Sequence, residues 1–168
     1  MPKETPNQRC DVILVVKDGK EFKAHKQVLS EASPFFEKLL NSDRKESREG
    51  IVRLEMFSES AMRNTVQFIY TGDIQILAEE NARDLVVSAD YFFLPYLKRL
   101  AEAALVKMLN TSNCISLYNF SQRYHCEELF AKTEKYFFTN FTAVYETNLK
   151  RFLICRAKKW KCGFQVMK

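Results

Sequence analysis

Apolar positions change their period within the first forty residues, and each change marks an element. Val12 to Val16 is an unbroken apolar run, mostly β-branched, which is the pattern of a strand covered on both faces. Lys17-Asp18-Gly19-Lys20 follows, where Asp-Gly accepts the positive φ angles of a tight hairpin. Glu21 to Ala24 returns as a second strand, with Phe22 and Ala24 on one face. From His25 the spacing turns helical through Val28, Leu29 and Ala32. Ser33-Pro34 opens another helix carrying Phe35 and Phe36, since Ser is a favoured cap and Pro suits the first helical position.

After Leu39-Leu40, residues Asn41 to Gly50 read as a polar surface connection, and Ile51 to Leu54 as a short strand. Ser58 is placed to cap a helix over Glu59 to Thr71, with Met62, Val66 and Ile69 on one face and Gly72 as a left-handed terminus. Ile74-Gln75-Ile76 alternates like a brief edge strand. Glu79 to Phe92 predicts a helix whose stripe is Ala82, Leu85, Val86, Ala89 and Phe93, with two acids in its first turn. Pro95 opens the next, with Leu97, Leu100, Ala101, Ala104 and Met108 as its stripe. The polar break at Asn110-Thr111-Ser112 is the expected domain boundary. Beyond it come two aromatic-rich helices, one along Cys114, Leu117, Tyr118, Ser121 and Tyr124, the other along Leu129, Thr133, Tyr136, Phe137, Asn140 and Phe141. They predict an antiparallel hairpin with its aromatic stripes in the core, which Leu149, Phe152, Leu153 and Trp160 would extend as a third helix.

Composition narrows the class. With 168 residues, 46% hydrophobic and 28% charged, the chain is globular and long enough for one ordinary domain, or one plus a fragment of a second. No apolar run reaches the ~20 residues of a membrane span, and the start MPKETPNQRC lacks a secretory core. Five cysteines without paired spacing point to reduced thiols in an intracellular protein. Of the two intracellular compartments the cytoplasm is expected over the nucleus. The net charge of +5 is local: residues 150 to 168 hold seven Lys and Arg and no acid. Trp160 is the one strong stacking residue of that tail, so a solvated end that packs poorly is expected rather than a nucleic-acid surface.

Candidate chemistry is sparse. His25 reads as a satisfied structural histidine, and His125-Cys126 with Cys155 and Cys162 fits no zinc-finger spacing. Gly19, Gly50, Gly72 and Gly163 are isolated turn glycines, so no phosphate-cradling loop is present. No nucleophile and base can be paired, and neither a catalytic residue nor a cofactor, metal or small-molecule substrate is expected.

Asp11-Val12, then Phe22-x-Ala24-His25-Lys26-x-Val28-Leu29, then Ser33-Pro34-Phe35-Phe36 resemble the opening of a BTB/POZ domain of the Kelch-like subgroup. Phe68-Ile69-Tyr70-Thr71-Gly72 and Ala89-Asp90-Tyr91 extend the resemblance, which runs from about Cys10 to Phe141 and enters what looks like the start of a BACK domain. It implies an α+β fold, a small sheet flanked by a helical cluster, followed by an incomplete α-helical BACK-like region. The implied layout is an N-terminal tail over 1–9, the BTB/POZ domain over 10–109, a partial BACK-like region over 110–153 and a basic tail over 154–168.

The function implied is protein interaction without chemistry: a substrate adaptor of a cullin-3 RING ubiquitin ligase, or alternatively a dimerisation and corepressor-recruiting module of a transcriptional regulator. The cullin-type surface maps to Arg44, Lys45 and Glu46 with Tyr91, Phe92, Phe93, Leu94 and Tyr96. Asp11 and Lys26 map to a charged pocket where the domain pairs with itself or another BTB protein. Arg44 stands where the family carries a hydrophobic residue, which implies weak cullin binding. The nine residues before Cys10 are too few for the helix that precedes the first strand in Kelch-like proteins, which implies weaker self-association. No propeller repeat follows, so no substrate is named.

Overall fold

The computed structural model describes residues 10–41 and 49–148, and the chain divides into two compact units at Ala104/Leu105. In the first unit the apolar run forms strand β1 (Val12–Val16), and Glu21–Ala24 forms β2. They pair antiparallel with Leu14 opposite Phe22 and Val12 opposite Ala24, across a turn in which Gly19 takes φ 71°. Strand β3 (Ile51–Leu54) joins the other edge of β1 in parallel, Leu14 opposite Val52, so the order is β2-β1-β3. Val12, Leu14 and Val16 are buried while Ile13 and Val15 are only partly covered, so one face of β1 is fully sealed.

Entry into β3 depends on Gly50. Its φ is 64°, and a Cβ there would lie 2.8 Å from the Asp11 carbonyl oxygen. Only glycine fits so close a backbone approach, while the Gly50 carbonyl accepts the Ile13 N–H at 2.8 Å.

Two short helices follow β2: α1 (Lys26–Ala32) and α2 (Pro34–Leu40). Ser33 is fully buried, and its oxygen does two things. It accepts the Phe36 N–H at 3.4 Å, capping α2, and donates to the Phe92 carbonyl at 2.6 Å, 59 residues away. Helix α3 (Glu59–Thr71) starts on the Ser58 cap, whose oxygen accepts the Ala61 N–H, and stops at Gly72 with φ 72°. Its buried face is Ala61, Met62, Thr65 and Phe68 rather than Met62, Val66 and Ile69. The face is turned by a polar contact: Thr65 donates to the Ala61 carbonyl at 2.8 Å and its oxygen lies 3.0 Å from that of Ser88. With that hydroxyl satisfied, a buried Thr costs little.

The expected strand at Ile74-Gln75-Ile76 does not form. Thr71 Oγ1 donates to the Asp73 carbonyl and accepts its N–H, and the Asp73 carboxylate accepts the Ile74 N–H. These local bonds occupy the backbone groups a ladder would need.

Helix α4 (Glu79–Tyr91) buries Ala82, Leu85, Val86, Ser88 and Ala89, and α5 (Pro95–Lys107) buries Leu97 and Ala101, then Leu105 where Ala104 and Met108 were expected. In the second unit, α6 (Cys114–Arg123) and α7 (Glu127–Thr139) pack as a hairpin, and residues 141–148 are again helical. Cys114, Leu117, Ser121, Leu129 and Thr133 are buried between them. The aromatic stripes are not all core. Phe141 of the expected stripe is 52% exposed, and the nearby Phe138 and Tyr145 are exposed too, because a helical hairpin seals only one seam and Leu117, Leu129, Cys114, Ser121 and Thr133 fill it. Leu149, Phe152, Leu153, Trp160 and the basic tail lie outside the described residues.

Candidate protein-interaction surface

The end of α4 is where a structural requirement turns into a surface. The Leu94 N–H donates to the Ala89 carbonyl at 2.8 Å and the Phe93 N–H to the Asp90 carbonyl at 3.3 Å, the paired bonds of a Schellman termination. That motif needs a left-handed residue, normally glycine, and here Phe93 supplies it with φ 53°. Reversal of the backbone at Phe93 breaks the helical stripe in which it was expected. Phe92 goes fully inside and Phe93 stands out, 64% exposed. Pro95 then opens α5, and Tyr96 is 55% exposed with its ring stacked 6.0 Å from Phe68.

Beneath this edge lies an aromatic cluster. Phe92 stacks on Phe36 at 5.0 Å and meets Phe57, Tyr91 and Phe35 at 5.0, 5.3 and 5.5 Å. Tyr91 touches Phe35 and Phe57 from outside and remains partly exposed. Of the five expected surface residues in this helix junction, Tyr91, Phe93 and Tyr96 therefore face outward. Phe92 and Leu94 are buried and support the others from within, since the αL reversal aims them inward. Arg44, Lys45 and Glu46 lie outside the described residues. Sequence periodicity could not have separated Phe92 from Phe93; the signal that could is Pro95, which stops the helix just before.

The first unit also carries a polar site. Asp11 Oδ1 accepts the Lys26 N–H at 2.7 Å, so the carboxylate caps α1 from outside its own segment. The two residues share a cleft of about 630 Å³ with Ser30, Glu31 and Glu37. The Ser30 hydroxyl is buried and finds no hydrogen-bond partner among the described residues. The contact between Asp11 and Lys26 runs through the Lys26 backbone N–H. Asp11→Ala should lower stability by about 1 kcal/mol, the usual worth of a cap, and Asp11→Asn by less than half of that, because an oxygen remains to accept the bond. Urea denaturation of the three forms checks this; equal losses for Ala and Asn would show that charge and not the cap matters.

His25 is held as a structural residue. Its N–H donates to the Tyr70 hydroxyl at 2.8 Å, and Nδ1 lies 2.9 Å from the same oxygen. Tyr70 was visible in the sequence only as part of the Phe68–Gly72 match; its partner is 45 residues away. His125 takes φ 51° at the end of α6, where the Cys126 N–H donates to the Ser121 carbonyl, and Cys126 is buried. Both therefore serve a helix terminus of the same kind as Phe93. No group of His, Cys, Asp and Glu able to hold a metal occurs among the described residues, and no helix there is long and apolar enough to cross a membrane.

A family model for the BTB/POZ domain matches residues 2–109. The chain belongs to the BTB/POZ domain family. Its fold is therefore the α+β BTB architecture expected from the sequence, and BTB domains are protein-interaction modules. Human Kelch-like protein 28 is 30% identical over 141 residues, covering 84% of this chain and 24% of that protein. Kelch repeat and BTB domain-containing protein 8 of Xenopus tropicalis is 31% identical over 146 residues, 87% of this chain and 24% of that protein. The chain spans about a quarter of the length of these relatives. The solved BTB domain of human gigaxonin is 35% identical, over 55% of this chain and 74% of that one, with a TM-score of 0.48.

Proposed function

We propose that this BTB module links a cullin-3 ubiquitin ligase scaffold to a substrate-recruiting partner, pairing with itself or another BTB protein through the Asp11–Lys26 face. It acts by presenting surfaces and carries out no chemistry of its own. The observation that supports this most is the placement of Tyr91, Phe93 and Tyr96. Three aromatic rings exposed along one helix junction and backed by a rigid aromatic cluster are the composition of an interaction hot spot. Kelch-like relatives matched over more than four-fifths of the chain favour the ligase reading over corepressor recruitment.

The side chain of Arg44 sets the affinity in this reading. A guanidinium entering an apolar pocket on the partner is costly to bury unpaired, although its aliphatic stem can lie on the rim. Lost apolar anchoring at one such position is worth ~2 kcal/mol, about thirtyfold in affinity. Arg44→Met should therefore strengthen binding to the cullin-3 N-terminal domain at least tenfold from a weak starting value. Titration calorimetry on both forms decides it. Nanomolar binding by the wild type, unchanged in Arg44→Met, would show that Arg44 is not at the contact.

A further inference from the structure

A groove of about 390 Å³ runs along the hairpin of the second unit, between Cys114, Ile115 and Tyr118 of α6 and Glu134, Phe137 and Phe138 of α7. Its walls are mostly apolar, and two of those side chains stand in solvent, Ile115 39% and Phe138 72% exposed. Phe138 also meets Phe137 edge-on at 5.6 Å, so the apolar surface is continuous along α7. Contiguous exposed apolar surface of this kind marks an interaction site. Where the chain goes next identifies the occupant. The helical residues 141–148 end with Asn148, whose Nδ2 donates to the Thr111 carbonyl at 3.3 Å, 37 residues back, and to the Val144 carbonyl at 2.7 Å. Val144 is buried, so this turn is anchored. Thr111 stands three residues before Cys114, the first wall residue of the groove, and three residues of chain span at most ~11 Å. The chain therefore leaves Asn148 at the edge of the groove. Leu149-Lys150-Arg151-Phe152-Leu153-Ile154 comes next, four large apolar residues around two cations. Four residues of chain reach up to ~14 Å, enough to carry Phe152 past Cys114 and into the groove.

We propose that residues 149–154 of this chain dock in the α6–α7 groove, Phe152 and Leu153 against Ile115 and Phe138, with Lys150 and Arg151 beside the Glu134 carboxylate. Glu134 is the charged residue of the groove and makes no ion pair among the described residues, so a cationic segment complements it. Docking closes, within one chain, a surface that would otherwise take an apolar segment of another. The tether makes the closure effective, because a segment joined by a short linker competes at a local concentration of about a millimolar. The basic residues beyond Ile154 stay in water. This assignment rests on the second unit alone and does not depend on the cullin reading.

Trypsin on dilute full-length protein tests it, with cleavage after Arg151 and after Lys161 followed by mass spectrometry. The bond after Lys161 is the reference for a terminus that is not tied down. Cleavage after Arg151 should be at least tenfold slower, because the docked segment must open before the protease can take it. Leu153→Ser, which leaves the Arg151–Phe152 bond itself unchanged, should bring the two rates to within about twofold. Phe138→Asp should do the same from the other side of the contact, since that ring is exposed and the buried Leu117 and Leu129 are untouched. Ile115→Asp serves where Phe138→Asp does not fold. A fluorescein-labelled peptide of residues 149–160 supplies a measurement independent of cleavage. By anisotropy it should bind full-length Leu153→Ser at least tenfold more tightly than wild type, whose groove is already filled. Adding Phe138→Asp to Leu153→Ser should abolish that binding. Equal cleavage at the two bonds in the wild type, or protection that survives Phe138→Asp, overturns the proposal. So does peptide binding as tight to wild type as to Leu153→Ser, which would mean that the groove is open to another chain.

Discussion

Phe92→Ala should destabilise the protein by about 3–5 kcal/mol, the range for deleting a fully buried aromatic ring. Phe92 has no exposed surface and contacts Phe35, Phe36, Phe57 and Tyr91, which come from three separate stretches of chain. Removing it leaves a cavity that four rings line and none can fill without leaving its own contacts. Each further aromatic pair is worth about 0.5–1.5 kcal/mol beyond area, so the upper half of the range is expected. A domain's whole stability is only about 5–15 kcal/mol, so the variant should be partly unfolded at physiological temperature. Urea denaturation with unchanged slope and a midpoint lowered enough to mean a loss of more than about 3 kcal/mol is the expected result. A loss below about 1.5 kcal/mol would mean that the ring is not the centre of this core.

Phe93→Gly should separate stability from binding, moving the two in opposite directions. The left-handed conformation costs an L-residue about 1–2 kcal/mol, and Phe93 bears it with φ 53°. Glycine removes that strain but loses about 0.5–1 kcal/mol to the greater freedom of the unfolded chain, for a net gain of about 0.5 kcal/mol. The ring Phe93 carries there is 64% exposed, which is the observation that ties it to the proposed surface. Loss of a hot-spot ring is worth ~2 kcal/mol, so affinity for the cullin-3 N-terminal domain should fall about thirtyfold. Thermal denaturation and calorimetry on the same preparation measure both. If stability falls and binding is unchanged, Phe93 serves the helix terminus and the surface lies elsewhere.

These two neighbours also mark the limit of reading the chain alone. Periods of two and 3.6 residues, with Ser33-Pro34, Ser58, Gly72 and Pro95 as boundaries, marked the three strands and the helices that form, because caps and turns are local chemistry, but also a strand at Ile74–Ile76 that does not. The Asp11–Lys26 proximity was legible through the family resemblance, although its form, a carboxylate on a backbone N–H, was not. Which face of α3 turns inward was decided by the Thr65–Ser88 hydroxyl pair, a contact between residues 23 apart. Exposure of Phe141 was decided by the single seam between α6 and α7, which Leu117, Leu129, Cys114, Ser121 and Thr133 already fill. Phe92 and Phe93 are the same residue type at adjacent positions, so no pattern distinguishes them. Only the tertiary structure could, by reversing the backbone between them and tying the Phe92 carbonyl to Ser33 across the fold.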